Sequence, residues 1–584
     1  MKHFATFFGL GLLLSGCTIS APPNIPQGVA VPPAATASNP TAAHSPATRA
    51  AVAMPDSFSA DVTRTVLEAG GNAVDAAVAA AFTLAVTYPE AGNIGGGGFM
   101  LLRMDGDSEF LDYREVAPAA ASRDMFLDDS GEVIKGSSLT GHRAAGVPGT
   151  VAGLWAAHQR HGILPWAQLL AEPIRLARDG FTVDRELAGR YRHALKMHGG
   201  LTNLAAHFGD MTAGSTLRQP ELAATLTRIA ESGAAEFYTG TTAELLVAEM
   251  ARGDGLISAT DLANYSVVWR PPLSMPWREF DLVTAPPPSS GGVALLQLLH
   301  MRDLLASEFA GLTHNSSAYV HLIAEMEKRV FADRAEYMGD PDFVEVPVAE
   351  LLAPAYLAER AMPISPNAIS PTPAVQPGLE STDTTHFSIV DRWGNAVSNT
   401  YTINFGFGNG VVVTGAGFLL NNEMDDFSVK PGVPNVYGVV GADANAIAPN
   451  KRMLSSMTPT ILLRDDQVQM VVGSPGGSTI ITSVFQTLLN LVDFNFTPQA
   501  AVDAPRFHHQ LLPKDLISMS LALPDDTQRE LSDMGYRVEH NSWGVYGDVQ
   551  LIWRGPSGLG AASDRRYRGQ SLVVDSYFEQ APSE

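Results

Sequence analysis

Apolar positions in this chain follow two periods in turn, 3.6 and 2, and the order of those segments predicts layers. Val74, Ala77, Val78, Ala81, Leu84 and Ala85 recur at helical spacing, while Ala76, Ala79 and Ala80 make the remaining faces apolar as well. The segment therefore reads as a buried helix, capped by Asn72 after Gly70-Gly71 and stopped by Pro89 beyond Tyr88. Next, FMLLR and EFLDY flank Met104-Asp105-Gly106, the signature of a hairpin. The same grammar returns twice. HFSIV and AVSNTYTI flank Asp391 to Asn395, and TPTILL and QVQMVV flank Asp465-Asp466, followed by a glycine-rich turn and the apolar helix TIITSVFQTLLNLV. Strand pairs beside all-apolar helices predict an α/β layered architecture with antiparallel hairpins. Ahead of HFSIV lies ISPNAISPTPAVQPGLESTD, whose Pro366, Pro371, Pro373 and Pro377 predict an exposed, mobile connection.

The amino terminus breaks this pattern. Lys2 precedes an apolar run from Phe4 to Leu14 that is too short to span a bilayer and has the form of an export signal. Leu14-Ser15-Gly16-Cys17 closes it and resembles a bacterial lipobox, in which the cysteine is lipidated; Thr18 after it favours the outer membrane. The alternative is an incidental cysteine in a plain signal peptide. Residues 18–50, rich in Pro, Ala, Ser and Thr, suit an extended tether. Cys17 is the only cysteine among 584 residues, which excludes an intramolecular disulfide. A net charge of -23 argues against a nucleic-acid partner and leaves small molecules or peptides as substrates.

Candidate chemistry centres on Thr384, between a Pro-rich leader and a strand. If the bond from Asp383 to Thr384 is cut, Thr384 gains an α-amine with a pKa of about 7.7 to 8.0, and one residue supplies nucleophile and base. The plainer reading is that Thr384 and Thr385 merely begin a strand. Thr400, Thr402 and Asn404 share one face of the second strand, so a tight hairpin sets Thr402 beside Thr384. Val472 to Ser478, with Gly476 and Gly477, joins a strand to a helix and offers backbone N–H donors for an anion or an oxyanion. No Gly-Lys-Ser/Thr follows, which argues against a phosphate loop. The other glycine run, Gly95 to Gly98, reads as close backbone packing. Arg114 at a strand end suits a carboxylate, although solvated arginines are common there. Glu423 and Asp426 point to one spot in a helical turn and suit an ammonium or a calcium ion; Ser455 and Ser456 suit a carboxylate. The pair His508-His509 lacks metal-ligand spacing and reads as structural.

Together these segments resemble the γ-glutamyltransferase family of N-terminal-nucleophile hydrolases. The resemblance runs from AGGNAVDAAVAAAFTLAVTYPEAGNIGGGGFML through DYREVAP, PPPSSGGVALLQLL, TDTTHFSIVDRWGNAVSNTYTIN, LLNNEMDDFS and KRMLSSMTPT to GSPGGSTIITSVFQ and DAPRFHHQ. It implies a four-layer αββα sandwich that cuts itself between Asp383 and Thr384 into a large subunit (51–383) and a small catalytic one (384–584) that stay together, behind a signal of residues 1–17 and the tether. By the same resemblance Thr384 is the nucleophile and Thr402 its orienting partner, while Gly476 and Gly477 form the oxyanion hole. Arg114, Ser455 and Ser456 hold the α-carboxylate of the γ-glutamyl group; Asn404, Glu423 and Asp426 surround its α-amine; and Tyr437 sits on a lid. The implied reaction is γ-glutamyl transfer from glutathione or a related compound to water, an amino acid or a peptide, without a cofactor or metal. Two rivals remain: an acylase of this fold acting on glutaryl-type amides, and a non-catalytic envelope lipoprotein that binds amino acids or peptides.

Overall fold

The computed structural model describes residues 49–371, 384–430, 442–541, 544–556 and 558–575. Cys17, the signal and tether, Asp383, most of the Pro-rich leader, and Tyr437 with the rest of residues 431–441 lie outside the described residues.

The predicted alanine-rich helix spans Ala73–Thr87, and every residue in it is buried. Its start is set locally: the Asn72 side chain accepts from the N–H groups of Val74 and Asp75, while the Asp75 carboxylate accepts from the N–H of Asn72, a reciprocal capping box. A fourth N–H at this end, that of Ala73, donates to Asp391 at 3.1 Å, which ties the helix to the turn of the HFSIV hairpin.

Two sheets form the centre. The first, seven-stranded, runs in the order Gln570–Asp575, Arg49–Met54, Thr385–Val390, Ala396–Thr402, Gly97–Met104, Asp107–Tyr113 and Val268–Arg270. The second, six-stranded, runs Gly558–Ser563, Gln550–Gly555, Gln467–Gly473, Thr460–Arg464, Phe280–Thr284 and Leu273–Trp277. Period-2 alternation sends each strand's side chains to two different cores. Val52, Met54, Met100, Leu102, Phe387 and Ile389 face the helical layer that contains Ala73–Thr87. Their neighbours Ala51, Ala53, Phe99, Leu101 and Val390 face Val283, Ile461, Val471 and Ile552 of the second sheet. Helices Gly291–Leu304, Ser317–Tyr337 and Thr479–Val492 cover that sheet's other side. The layers are therefore αββα, as the resemblance implies.

The close-packing reading of Gly95 to Gly98 holds. A Cβ on Gly95 would run into the Leu419 carbonyl, one on Gly96 into that of Thr402, and one on Gly98 into that of Thr400. Glycine here brings the Gly97–Met104 strand and its leader against the chain end that carries Thr402.

Candidate active site

The hairpin register decides where Thr384 lies. Thr385 stands opposite Tyr401, and one step further along each strand brings Thr384 opposite Thr402. The Thr402 hydroxyl accepts from the N–H of Asn404 at 2.7 Å, and Asn404, in the left-handed region at φ 72°, donates its side-chain amide to the Asn422 carbonyl. A left-handed residue just past the strand turns the chain toward Asn422 and the short 3-10 turn Glu423–Asp426.

Thr384, Thr402, Asn404, Glu423, Asp426, Arg114, Ser455, Ser456 and Gly477 line one pocket, so residues scattered over the sequence meet. Gly476 lies one residue away, in the turn between the Gln467–Gly473 strand and the Thr479–Val492 helix, at φ 132°; Gly477 is at φ 56°. The left-handed φ at Gly477 is open to glycine at little cost, and the turn sits at the positive end of a 14-residue helix.

Arg114 is not solvated. It follows the Asp107–Tyr113 strand with 1% of its surface exposed. Its Nη1 lies 2.9 Å from Glu423, its Nη2 donates to Asp426, and the same nitrogen donates to the Leu454 carbonyl at 3.1 Å. The fork and the carboxylates, expected on opposite sides of a bound head group, are thus in direct contact. Burial opposes the Arg114 charge, but Glu423 and Asp426 outweigh it and raise the guanidinium above the ordinary arginine range. Burial also pushes Glu423 well up, against the pull of Arg114. Behind them Glu115, fully buried 3.7 Å from Arg114, is pushed up to about 8 by burial, with Arg114 opposing.

Three contributors escaped the sequence reading. Arg334, near the end of helix Ser317–Tyr337, lines the pocket and donates to Ser456 Oγ at 2.9 Å and to Ser290 Oγ at 3.0 Å. Ser290, whose N–H and hydroxyl both donate to the Ser455 carbonyl at 2.8 Å, fixes the Ser455-Ser456 segment. Asn421 accepts from the N–H of Glu423 and donates to the carbonyls of Gly95 and Gly146. Two adjacent serines before Gly291-Gly292, and a basic residue on an otherwise buried helix, were the available signals.

The histidines stay away from this pocket's lining. His386 lies between the sheets, bonded to Thr400 and Ser388, and burial lowers it to about 3. His508 bonds Thr482 and Gln510, while the backbone N–H of His509 donates to Glu327, which fits the structural reading.

Comparison with known proteins agrees with this arrangement. The sequence model of the Gamma-glutamyltranspeptidase family matches residues 59–574. A glutathione hydrolase proenzyme of Pseudomonas aeruginosa is 59% identical over 527 residues, covering 90% of this chain and 94% of its own. One from Escherichia coli is 46% identical over 526 residues, with 88% and 90% covered. Among solved structures, a cephalosporin acylase from Bacillus halodurans is 28% identical at a TM-score of 0.79, covering 92% of this chain and 98% of that one. A gamma-glutamyltranspeptidase from Pseudomonas nitroreducens complexed with L-DON is 54% identical at a TM-score of 0.54, covering 54% and 95%. The fold is that of the N-terminal-nucleophile hydrolases, and the chain belongs to the gamma-glutamyltranspeptidase family.

Proposed function

We propose that this chain is a γ-glutamyl-transferring and -hydrolysing enzyme that matures by cutting itself before Thr384. The observation that carries the reading is the shared pocket: a threonine at the cut position lies with a guanidinium, two carboxylates, two serines and a glycine turn. A γ-glutamyl compound presents a zwitterionic head and, some bonds away, an amide carbonyl. Arg114, Ser455 and Ser456 suit the α-carboxylate, with Arg334 steadying Ser456; Glu423, Asp426 and Asn404 suit the α-ammonium. To take the head group, Arg114 exchanges part of its contact with Asp426 for the substrate carboxylate, and the freed aspartate meets the ammonium.

Once cut, Thr384 uses its α-amine to draw the proton from its own Oγ, which attacks the γ-carbonyl. The amides of Gly476 and Gly477 receive the oxyanion, a contribution typically worth about 10² to 10³ in rate per donor. The amine of glutathione or a related compound leaves with that proton, and the ester is resolved by water or by an amino acid or peptide. Thr402, opposite Thr384, orients the hydroxyl. The relatives named as proenzymes support a processed pair of subunits, 51–383 and 384–584. Cys17 carries a lipid that holds the protein on the periplasmic side of the outer membrane through the 18–50 tether; no helix among the described residues is long and apolar enough to cross a membrane.

Intact mass of the purified protein tests this directly, since it reports the lipid and the cut together. The wild type is expected as two chains, the second beginning at Thr384, and Thr384→Ser as a mixture with reduced turnover. Thr384→Ala is expected uncut and inactive; two fragments from that variant would point to an outside protease. Faster turnover of glutaryl-p-nitroanilide than of γ-glutamyl-p-nitroanilide would remove the role given to Glu423 and Asp426 and favour the acylase.

A further inference from the structure

The two halves of the carboxylate clamp, Arg114 and the Ser455-Ser456 segment, come from distant parts of the chain, so their spacing has to be set by other residues. Asp112, fully buried near the end of strand Asp107–Tyr113, is shared between them. Its Oδ1 accepts from the backbone N–H of Arg114 at 3.0 Å and lies 3.3 Å from Nε of Arg452, three residues before Ser455. Its Oδ2 accepts from Arg270 Nε at 2.8 Å. The carbonyl of Arg114 accepts from the Tyr265 hydroxyl at 2.9 Å, so side chains hold this residue by both of its backbone polar groups.

Arg452 carries the same frame into the second half of the clamp. Its backbone N–H donates to Asp340 at 2.8 Å, and its Nη2 donates to the Ser266 carbonyl at 2.8 Å. Asp340 follows the helix Ser317–Tyr337, which delivers Arg334 to Ser456. Its other oxygen accepts from the N–H of Asp342, and the Asp342 carboxylate in turn meets Arg270 at 2.6 Å. Beside Arg114, the N–H of Ala117 donates to the Lys451 carbonyl at 2.8 Å and the N–H of Asn450 to the Ala117 carbonyl at 2.9 Å. Burial opposes the charge on Arg452, but Asp112, Tyr265 and Asp340 outweigh it and raise the guanidinium above the ordinary arginine range. Of these two arginines and three aspartates only Asp342 is well exposed, so the pairs are worth far more than surface ones.

None of these groups lines the head-group pocket, yet together they join every element that brings a carboxylate-binding side chain to it: the Arg114 strand, the Ser455-Ser456 segment and the Arg334 helix. We propose that Asp112, Arg452 and Tyr265 are positioning residues for donor recognition. They fix the separation between Arg114 and Ser455-Ser456 and so determine how tightly an α-carboxylate is gripped, without touching the substrate or the atoms at Thr384. The inference rests on the head-group reading given above. A guanidinium and two hydroxyls must meet the carboxylate within about 0.5 Å of the productive geometry, and a pocket of ≈ 30 Å³ leaves little room for adjustment. Thr384 and the Gly476-Gly477 turn adjoin other strands, so the network acts on binding of the head group and leaves the chemistry at the carbonyl alone.

The test uses the full mature enzyme with γ-glutamyl-p-nitroanilide as donor. Asp112→Asn keeps an oxygen for the Arg114 N–H and removes the charge between the two arginines. Its donor KM is expected to rise about tenfold, the scale of one charge-assisted hydrogen bond, with kcat within about twofold of the wild type. Arg452→Gln is expected to do the same. Because both act through one contact, the double variant is expected to raise KM no further than either single change, whereas independent roles would multiply to about a hundredfold. Tyr265→Phe removes one oxygen and leaves the ring; it is expected to raise KM about threefold at unchanged kcat, and it decides the matter where Asp112→Asn does not fold. An unchanged KM in Asp112→Asn or in Tyr265→Phe, a fall in kcat as large as the rise in KM, or a multiplicative double variant overturns this inference alone. A wild type that releases no p-nitroaniline removes the head-group reading and this inference with it.

Discussion

Arg114 is held by charge on three sides: Glu423 at 2.9 Å, Asp426 in contact, and Glu115 at 3.7 Å behind. Removing the guanidinium leaves Glu423 and Glu115, both fully buried, without their counter-ion. Breaking a buried pair from one side costs about 3–5 kcal/mol, far above the worth of an exposed pair. Arg114→Ala is therefore expected to lower folding stability by about that amount, read from denaturant unfolding of the uncut Thr384→Ala background so that cleavage does not intervene. Arg114→Lys keeps a charge but not the planar fork. It is expected to fold and to raise the KM for the γ-glutamyl donor at least tenfold; an unchanged KM would detach Arg114 from the head group.

Between elements, one tight constraint joins the two sheets. Gly473 ends the Gln467–Gly473 strand, and a Cβ there would lie well inside contact distance of the His386 ring, which belongs to the strand that begins after Thr384. The ring is pinned by Thr400 at 2.8 Å and Ser388 at 3.1 Å, so it has no cheap way to move. Gly473→Ala is expected to separate the sheets locally, at a cost of about 1–3 kcal/mol, as overpacked cores do. Because the disturbed ring is two residues from Thr384 and Gly473 precedes the Gly476-Gly477 turn, kcat should fall more than donor KM rises. Wild-type stability and kinetics in this variant would show that the sheets yield here.

For the molecule as a whole, the segments before and after the proposed cut are interleaved, not adjacent. Strand Arg49–Met54 pairs with Thr385–Val390, Gly97–Met104 with Ala396–Thr402, and Phe280–Thr284 with Thr460–Arg464. Continuous ladders and two shared cores explain how one bond can break without separating the parts. Burial also shapes the pH response. It lowers His386 and His509 to about 3 and His508 to about 4, against an ordinary value of 6.5. The unfolded chain takes up protons that the folded one refuses, so the stability these groups supply is full above pH 6.5 and is lost as pH falls toward 3 to 4. Asp425 and Asp564, raised to about 7 by burial, act in the opposite sense over the same range, so the wild-type curve alone mixes both. His508→Gln isolates one contribution. Its Tm is expected to fall less than that of the wild type between pH 7 and 5, and parallel curves would contradict the assignment.

How much was legible from the chain follows from the range of each interaction. The limits of helix Ala73–Thr87, the three hairpins, the opposition of Thr384 and Thr402, and the turn that gathers Glu423 and Asp426 rest on capping, period and spacing within a few residues. Such local terms act whatever the rest of the chain does, and sequence alone determined them. The partners of Arg114, the grip of Arg334 on Ser456, and the contact of Asp112 with Arg452 were decided only by tertiary structure. Asp426 lies 312 residues from Arg114, and Ser456 lies 122 from Arg334; no local preference specifies either distance. They meet because two sheets and two helical layers bury their apolar faces together, and that stacking carries the charges along with it.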